Sequence, residues 1–293
     1  MRRYNYKKIN AFSVGNSNGN PAACLYLEEG QYLSRSEMQS IAKDHKGFVS
    51  EVIYCTPLSQ NSFCLKYYSS ECEVEFCGHG TIACIYELIR SNEGLKLLPK
   101  ISIVTNKGGL IVYNELEMLD AVFITAPDPL FLTLSVIQND IEIHLGISTE
   151  KINETYPIEL IDAGLRTLIV PIGSIQEVIG INPDEAKLKE FCLANGIDII
   201  LVFTMEVVNK DNIARTRVFA PKFGYLEDPA TGSGNSAFGY YMLRHKLWSG
   251  EAISIEQNAE VENYNIVRLK TSNNKVLFGG GGVTKIEGTY LSK

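Results

Sequence analysis

The chain lacks most of the features that announce a function at once. It has one Trp and four His in 293 residues, and the histidines stand apart at 45, 79, 144 and 245. Its seven cysteines (24, 55, 64, 72, 77, 84 and 192) form no Cys-x-x-Cys pair, so the spacing of a zinc hairpin is missing and no metal is expected. An odd count also argues against a complete disulfide framework and reads as reduced, mostly buried thiols of a cytoplasmic protein. There is no basic excess: 27 Lys and Arg face 34 Asp and Glu, for a net charge of -7, which excludes a nucleic-acid backbone as partner. No apolar run approaches the ~20 residues of a membrane span. The opening MRRYNYKKINAF is basic but has no apolar core, so it is not a secretory leader.

What is present is a globular composition, 45% hydrophobic and 21% charged, long enough for two domains of ordinary size. Short runs rich in β-branched and aromatic residues recur along the chain, among them EVIYC (51–55), CLKYYS (64–69), AVFITA (121–126), TLIVPI (167–172), IILVFTM (199–205) and IVRLKT (266–271). Helix signals are fewer. SRSEMQSIAKDHKG (34–47) carries a capping box, Ser34 with Glu37, and a glycine stop at Gly47. NPDEAKLKEFCLANG (182–196) offers Asn182 as N-cap and Pro183 at the first turn. Strands in clusters, not alternating with helices, predict an α+β fold with mostly antiparallel sheets.

Two glycine-rich segments look alike. GHGTIACIYEL at 78 and GSGNSAFGYYM at 232 both read Gly-x-Gly-x-x-Ala with a Tyr three residues on, follow an acidic stretch, and open a helix. They stand a little over half the chain apart, which predicts two similar halves, 1–128 and 129–293, with the last strands free to return to the first half. The boundary falls at the two prolines of APDPLF (126–131). A dinucleotide loop is a poor reading of either segment. VEFC, with Glu73 and Glu75, is a poor central strand, no acid for a ribose stands in a following strand, and the motif occurs twice. A glycine turn opening a helix presents backbone N–H groups at the positive end of the helix dipole, which suits a small carboxylate. His79 and Asp228 are the acid–base candidates inside these turns, although each also reads as an ordinary helix-approach residue. From the residues alone, Glu51 reads as a solvated strand residue.

Four motifs taken together carry more. NAFSVGNSNGNPAACLYL (10–27), Ser50-Glu51, FCGHGT (76–81) and LEDPATGS (226–233), with the finish VLFGGGGVTKIEG (276–288), resemble in content and order the PhzF-like family of phenazine-biosynthesis isomerases. The resemblance implies the diaminopimelate epimerase fold: two pseudo-symmetric halves, each a mostly antiparallel sheet wrapped around a central helix, with the site in the cleft between them. It implies an isomerase that uses no cofactor and no metal, moves a proton between carbons of a small carboxylic acid, and forms a homodimer. It places Glu51 as the acid/base, His79 and Asp228 as the other polar site residues, and Gly78, Gly80, Gly232 and Ser233 as the turns that hold the substrate carboxylate. The chain departs from the family at Val52, where Thr is common, and at Gly80, where Ala is common; the second reads as a minor loosening of the turn. A cysteine racemase of the same fold needs a second thiol, and Cys192 is the only cysteine of the second half. A non-catalytic carboxylate binder is the remaining alternative.

Overall fold

The computed structural model describes residues 2–292 and divides into two compact units, Met1–Ile124 with Gly279–Lys293, and Thr125–Phe278. The first contains β1 (Arg2–Ala11), β2 (Asn20–Tyr26), β3 (Glu51–Ser59), β4 (Ser62–Ser69), β5 (Glu73–Val74), β6 (Lys100–Thr105), β7 (Gly108–Glu115) and β8 (Ala121–Thr125). The second contains β9 (Leu130–Leu132), β10 (Glu159–Asp162), β11 (Arg166–Pro171), β12 (Ile199–Thr204), β13 (Ala214–Phe219), β14 (Glu227–Asp228), β15 (Ile253–Gln257), β16 (Asn265–Ser272) and most of β17 (Lys275–Gly280). The closing strand β18 (Gly282–Ser292) belongs to the first unit, where it pairs antiparallel with β1.

The pairing pattern repeats. In the first unit β1–β2 is antiparallel, β2–β3 parallel, β3–β4 and β4–β5 antiparallel, β4–β6 parallel and β6–β7 antiparallel. In the second, β10–β11, β11–β12, β12–β13, β13–β14, β13–β15 and β15–β16 follow the same sequence of senses. The fold is therefore α+β and internally duplicated, with the parallel contacts at matching places.

Each unit buries one helix. α1 (Arg35–Asp44) lies outside, with Ser34 and Glu37 forming the expected capping box, and sends Met38, Ile41 and Ala42 into a core with Tyr4, Leu25, Tyr54 and Tyr68. α2 (Gly78–Arg90) packs against β1, β2, β3 and β18 and is buried along nearly all its length. A helix that is apolar all round has no solvent face to offer, so burial on every side is its stable state. Its one buried charge, Glu87, takes the Lys7 ammonium at 2.7 Å and the Arg90 guanidinium at 2.8 Å. In the second unit α3 (Glu185–Ala194) is an outer helix, and α4 (Gly232–Arg244) is the buried one, against β10, β11, β12 and β16.

Two local expectations change. The N-cap of α3 is Asp184, whose side chain accepts from Lys187 N at 3.0 Å, not Asn182. Both residue types cap, and the carboxylate gains more at the positive end of the helix. The basic opening segment, read only as unlike a leader, is the long strand β1: Tyr4, Tyr6 and Ile9 point inward, and the Arg and Lys residues disguise the alternation.

Candidate active site

In the first unit, two elements bring the functional groups together. β3 begins at Glu51, next to Ala22 of β2 and Ser69 of β4, and follows a turn in which Gly47 has a φ of +78°. α2 begins at Gly78, and Cys77, in extended conformation, is its N-cap. The Cys77 sulfur accepts from Gly80 N at 3.3 Å, and its carbonyl takes both the amide and the hydroxyl of Thr81. Tyr67 of β4 reaches the same hydroxyl at 2.7 Å and ties the helix start to the sheet.

This places His79 Nε2 3.3 Å from Glu51 Oε2, with the two side chains 12% and 17% exposed. Cys77 Sγ lies 3.8 Å from the same carboxylate oxygen and 3.4 Å from His79 Nδ1. Burial pushes the His79 imidazole down to about 4, so it is neutral at pH 7 and can donate one hydrogen bond while accepting another. The carboxylate stands beside the start of α2, close to Cys77 and His79. The group is thus a shielded carboxylate with a neutral hydrogen-bonding neighbour, open enough to be reached.

Gly80 does more than loosen the turn. A Cβ there would stand 2.8 Å from the Ile53 side chain and 3.0 Å from Cys77 Sγ. An added methyl would press on the outer atoms of the Ile53 side chain, which would have to give, and the Gly80 N–H is engaged by the Cys77 sulfur. The change from alanine is therefore coupled to the rotamer of the Ile53 side chain beneath it.

In the second unit, the same offset carries Cys77 onto Thr231 and Gly78 onto Gly232. Thr231 is the N-cap of α4, with φ and ψ of -122° and 112° against -130° and 112° at Cys77. Asp228 ends the short strand β14, accepts from Ala230 N at 3.3 Å, and is raised to about 6 by burial, only partly opposed by Thr231 and Ala230. Gly232 and Ser233 open the helix. A Cβ on Gly232 would meet the Phe278 ring at 2.4 Å. Two residues missed from the sequence hold this turn. Gln257 donates to the Asp228 carbonyl at 2.8 Å and accepts from Thr231 N and from Asn235 Nδ2; Asn265 donates to the Pro229 carbonyl at 2.7 Å. Both are buried polar residues of strands, and a carboxamide at an inward strand position was the available signal.

Of the expected residues, then, Glu51 and His79 are in direct contact and Gly78 and Gly80 belong to the same turn. Asp228, Gly232 and Ser233 share the equivalent turn of the second unit.

The Asp228 shift has a measurable consequence. A raised carboxyl is favoured by the fold in its protonated form, so its contribution is present below about pH 4 and is lost as pH rises through about 6. Asp228→Asn, which keeps a neutral group there, is expected to be more stable than the wild type at pH 7.5 and to match it near pH 4. Urea midpoints at the two pH values decide this, and an identical difference at both would exclude the shift.

The fold, with its paired turns, is diaminopimelate epimerase-like. A family model described as phenazine biosynthesis-like protein matches residues 9–288. Relatives include an uncharacterized isomerase of Clostridium acetobutylicum, 26% identical over 94% of this chain and 97% of its own. The trans-2,3-dihydro-3-hydroxyanthranilate isomerase of Pseudomonas chlororaphis is 24% identical over 96% of this chain and 99% of its own. The crystal structure of a Bacillus anthracis phenazine biosynthesis protein of the PhzF family superposes with a TM-score of 0.83 at 22% identity, over 100% of both chains. The chain belongs to the phenazine biosynthesis-like, or PhzF, family and is an isomerase of that family. Among the described residues, no helix is long and apolar enough to cross a membrane.

Proposed function

We propose that the protein is a cofactor-independent isomerase that moves a proton between carbons of a small cyclic, amino or hydroxy carboxylic acid, acting in the cytoplasm as a homodimer. The observation that carries this reading is the Glu51 carboxylate, 3.3 Å from a neutral His79 and at the start of a buried helix. Glu51 takes a proton from one carbon of the substrate. The electron pair left behind spreads toward the substrate carboxyl group, and the positive helix end stabilises the developing charge while His79 holds the Glu51 carboxylate in place. Glu51, now protonated, returns the proton at a second carbon. In the first unit, Gly78 opens the turn that would receive the substrate carboxylate.

A two-thiol epimerase is disfavoured because the residue equivalent to Cys77 is Thr231, whose hydroxyl is far less acidic than a thiol. The reading is tested in heavy water. Trans-2,3-dihydro-3-hydroxyanthranilate, the substrate named for the Pseudomonas relative, and a panel of small amino and hydroxy carboxylates are first screened by thermal shift. Compounds that bind are then followed by NMR. Deuterium entering a carbon position is expected for at least one; binding without exchange would mark a non-catalytic binder and overturn the proposal.

A further inference from the structure

The cluster in the first unit has a property that proton transfer does not require. Glu51, Cys77 and His79 offer one carboxylate oxygen, one sulfur and one imidazole nitrogen, all within 4.8 Å of one another. The edges of the triangle are 3.3 Å from His79 Nε2 to Glu51 Oε2, 3.8 Å from Cys77 Sγ to Glu51 Oε2, and 3.8 Å from Cys77 Sγ to His79 Nε2. Zinc binds sulfur at about 2.3 Å and imidazole or carboxylate at about 2.0–2.2 Å, and tetrahedral angles convert these lengths into ligand separations of about 3.3–3.6 Å. One edge already fits, and the other two must contract by roughly 0.3 Å, within the reach of side-chain torsions.

The donors sit on regular elements. Cys77 is held as the N-cap of α2, His79 lies in its first turn, and Glu51 opens β3. Donor chemistry selects among metals. A thiolate with an imidazole suits zinc and its borderline neighbours, whereas magnesium and calcium prefer all-oxygen sets. Three protein ligands leave the fourth position open to water or to a substrate oxygen. A helix N-terminus disfavours a cation, but the thiolate and carboxylate together offset the two charges of the ion.

We propose that Glu51, Cys77 and His79 form a Zn2+ site, and that its occupation reversibly inhibits the enzyme. On binding, the Cys77 thiol gives up its proton to solvent as the zinc–sulfur bond forms, and the Glu51 oxygen becomes a ligand. A carboxylate engaged in this way cannot accept a proton from carbon. Inhibition therefore rests on the assignment of Glu51 as the base, whereas binding does not.

Chelator-treated, desalted full-length protein is titrated with Co2+, a coloured stand-in for zinc. One equivalent is expected to give a thiolate-to-cobalt band in the near ultraviolet and strong tetrahedral absorption in the visible, both removed by Zn2+. Cys77→Ser should abolish the near-ultraviolet band, while Cys72→Ser, at an exposed thiol, should leave it. Zinc-edge absorption spectroscopy of the wild type needs no variant and should show one sulfur at about 2.3 Å. Absence of the band, its survival in Cys77→Ser, or a zinc shell without sulfur would overturn the site and leave the role of Glu51 intact. In activity assays, one equivalent of Zn2+ should remove at least nine-tenths of turnover, and EDTA should restore it. Metal bound through Cys77 with turnover undiminished would overturn the inhibition, while the Glu51→Gln variant tests the base separately.

Discussion

Glu51→Gln is expected to lower turnover by roughly 10²–10⁴-fold, the usual contribution of a positioned acid–base group. Glutamine has nearly the same volume and can still accept from His79, so the start of β3 and the neighbouring helix turn should keep their places. The carboxamide cannot take a proton from carbon at neutral pH. Binding of a carboxylate ligand should change little, because the lost charge is not the group assigned to hold it, and the loss should fall on kcat, not KM. Deuterium exchange should disappear in parallel with turnover. The expected change in stability is small, since the main charge interaction lost is with the helix end, worth about 0.3–1 kcal/mol. Turnover within a few-fold of the wild type would remove Glu51 from the mechanism.

Gly279→Ala is expected to be among the most damaging substitutions for the fold. A Cβ there would stand 2.3 Å from the Val122 carbonyl oxygen and 2.5 Å from the Phe123 ring. A side chain could turn aside, but the carbonyl belongs to β8 and can move only with the strand. The loss should be about 3 kcal/mol, at the upper end of what overpacking costs. Gly288→Ala serves as the control: nothing lies within 4 Å of the added methyl, and a change within ±0.5 kcal/mol is expected at such a surface site. Urea midpoints for the three proteins measure both effects. Equal midpoints for Gly279→Ala and the wild type would show that the strands approach less closely there.

These two residues also show which parts were legible in the sequence. The run of four glycines at 279–282 was visible as a motif, but the reason for Gly279, a carbonyl from a strand more than 150 positions earlier, lies in tertiary packing and leaves no local trace. Regular elements with period or punctuation were readable: the capping box at Ser34 and Glu37, the β-branched runs, and the paired glycine turns whose N-caps prove to share one backbone conformation. β1 was missed because Arg2, Arg3, Lys7 and Lys8 break up its apolar pattern, with Lys7 itself buried against Glu87, and Asn182 was preferred to Asp184 because both are good caps. At the site, Glu51 read as solvated until the family motifs were considered, since the His79 and Cys77 side chains that shield it come from a separate element, α2. The contact of Cys77 with Glu51, and the neutral state of His79, likewise follow from three-dimensional proximity. Gln257 and Asn265 were overlooked because a polar side chain in a strand reads outward unless its partner, here the backbone of the Asp228–Thr231 turn, is known.

The pairing of β1 with β18 sets an order of events during synthesis. The second unit is continuous in sequence and has all its strands once Phe278 has left the ribosome. The first begins the chain yet lacks β18, so until residues 282–292 emerge β1 has only β2 beside it and keeps an open edge. It follows that the half carrying Glu51 and His79 is completed last, reversing the usual N-terminal-first order of domain folding. Pulse proteolysis of ribosome-bound chains that stop at residue 281 and continue into an unstructured linker long enough to clear the exit tunnel should therefore find the second unit protected while the first is still cut.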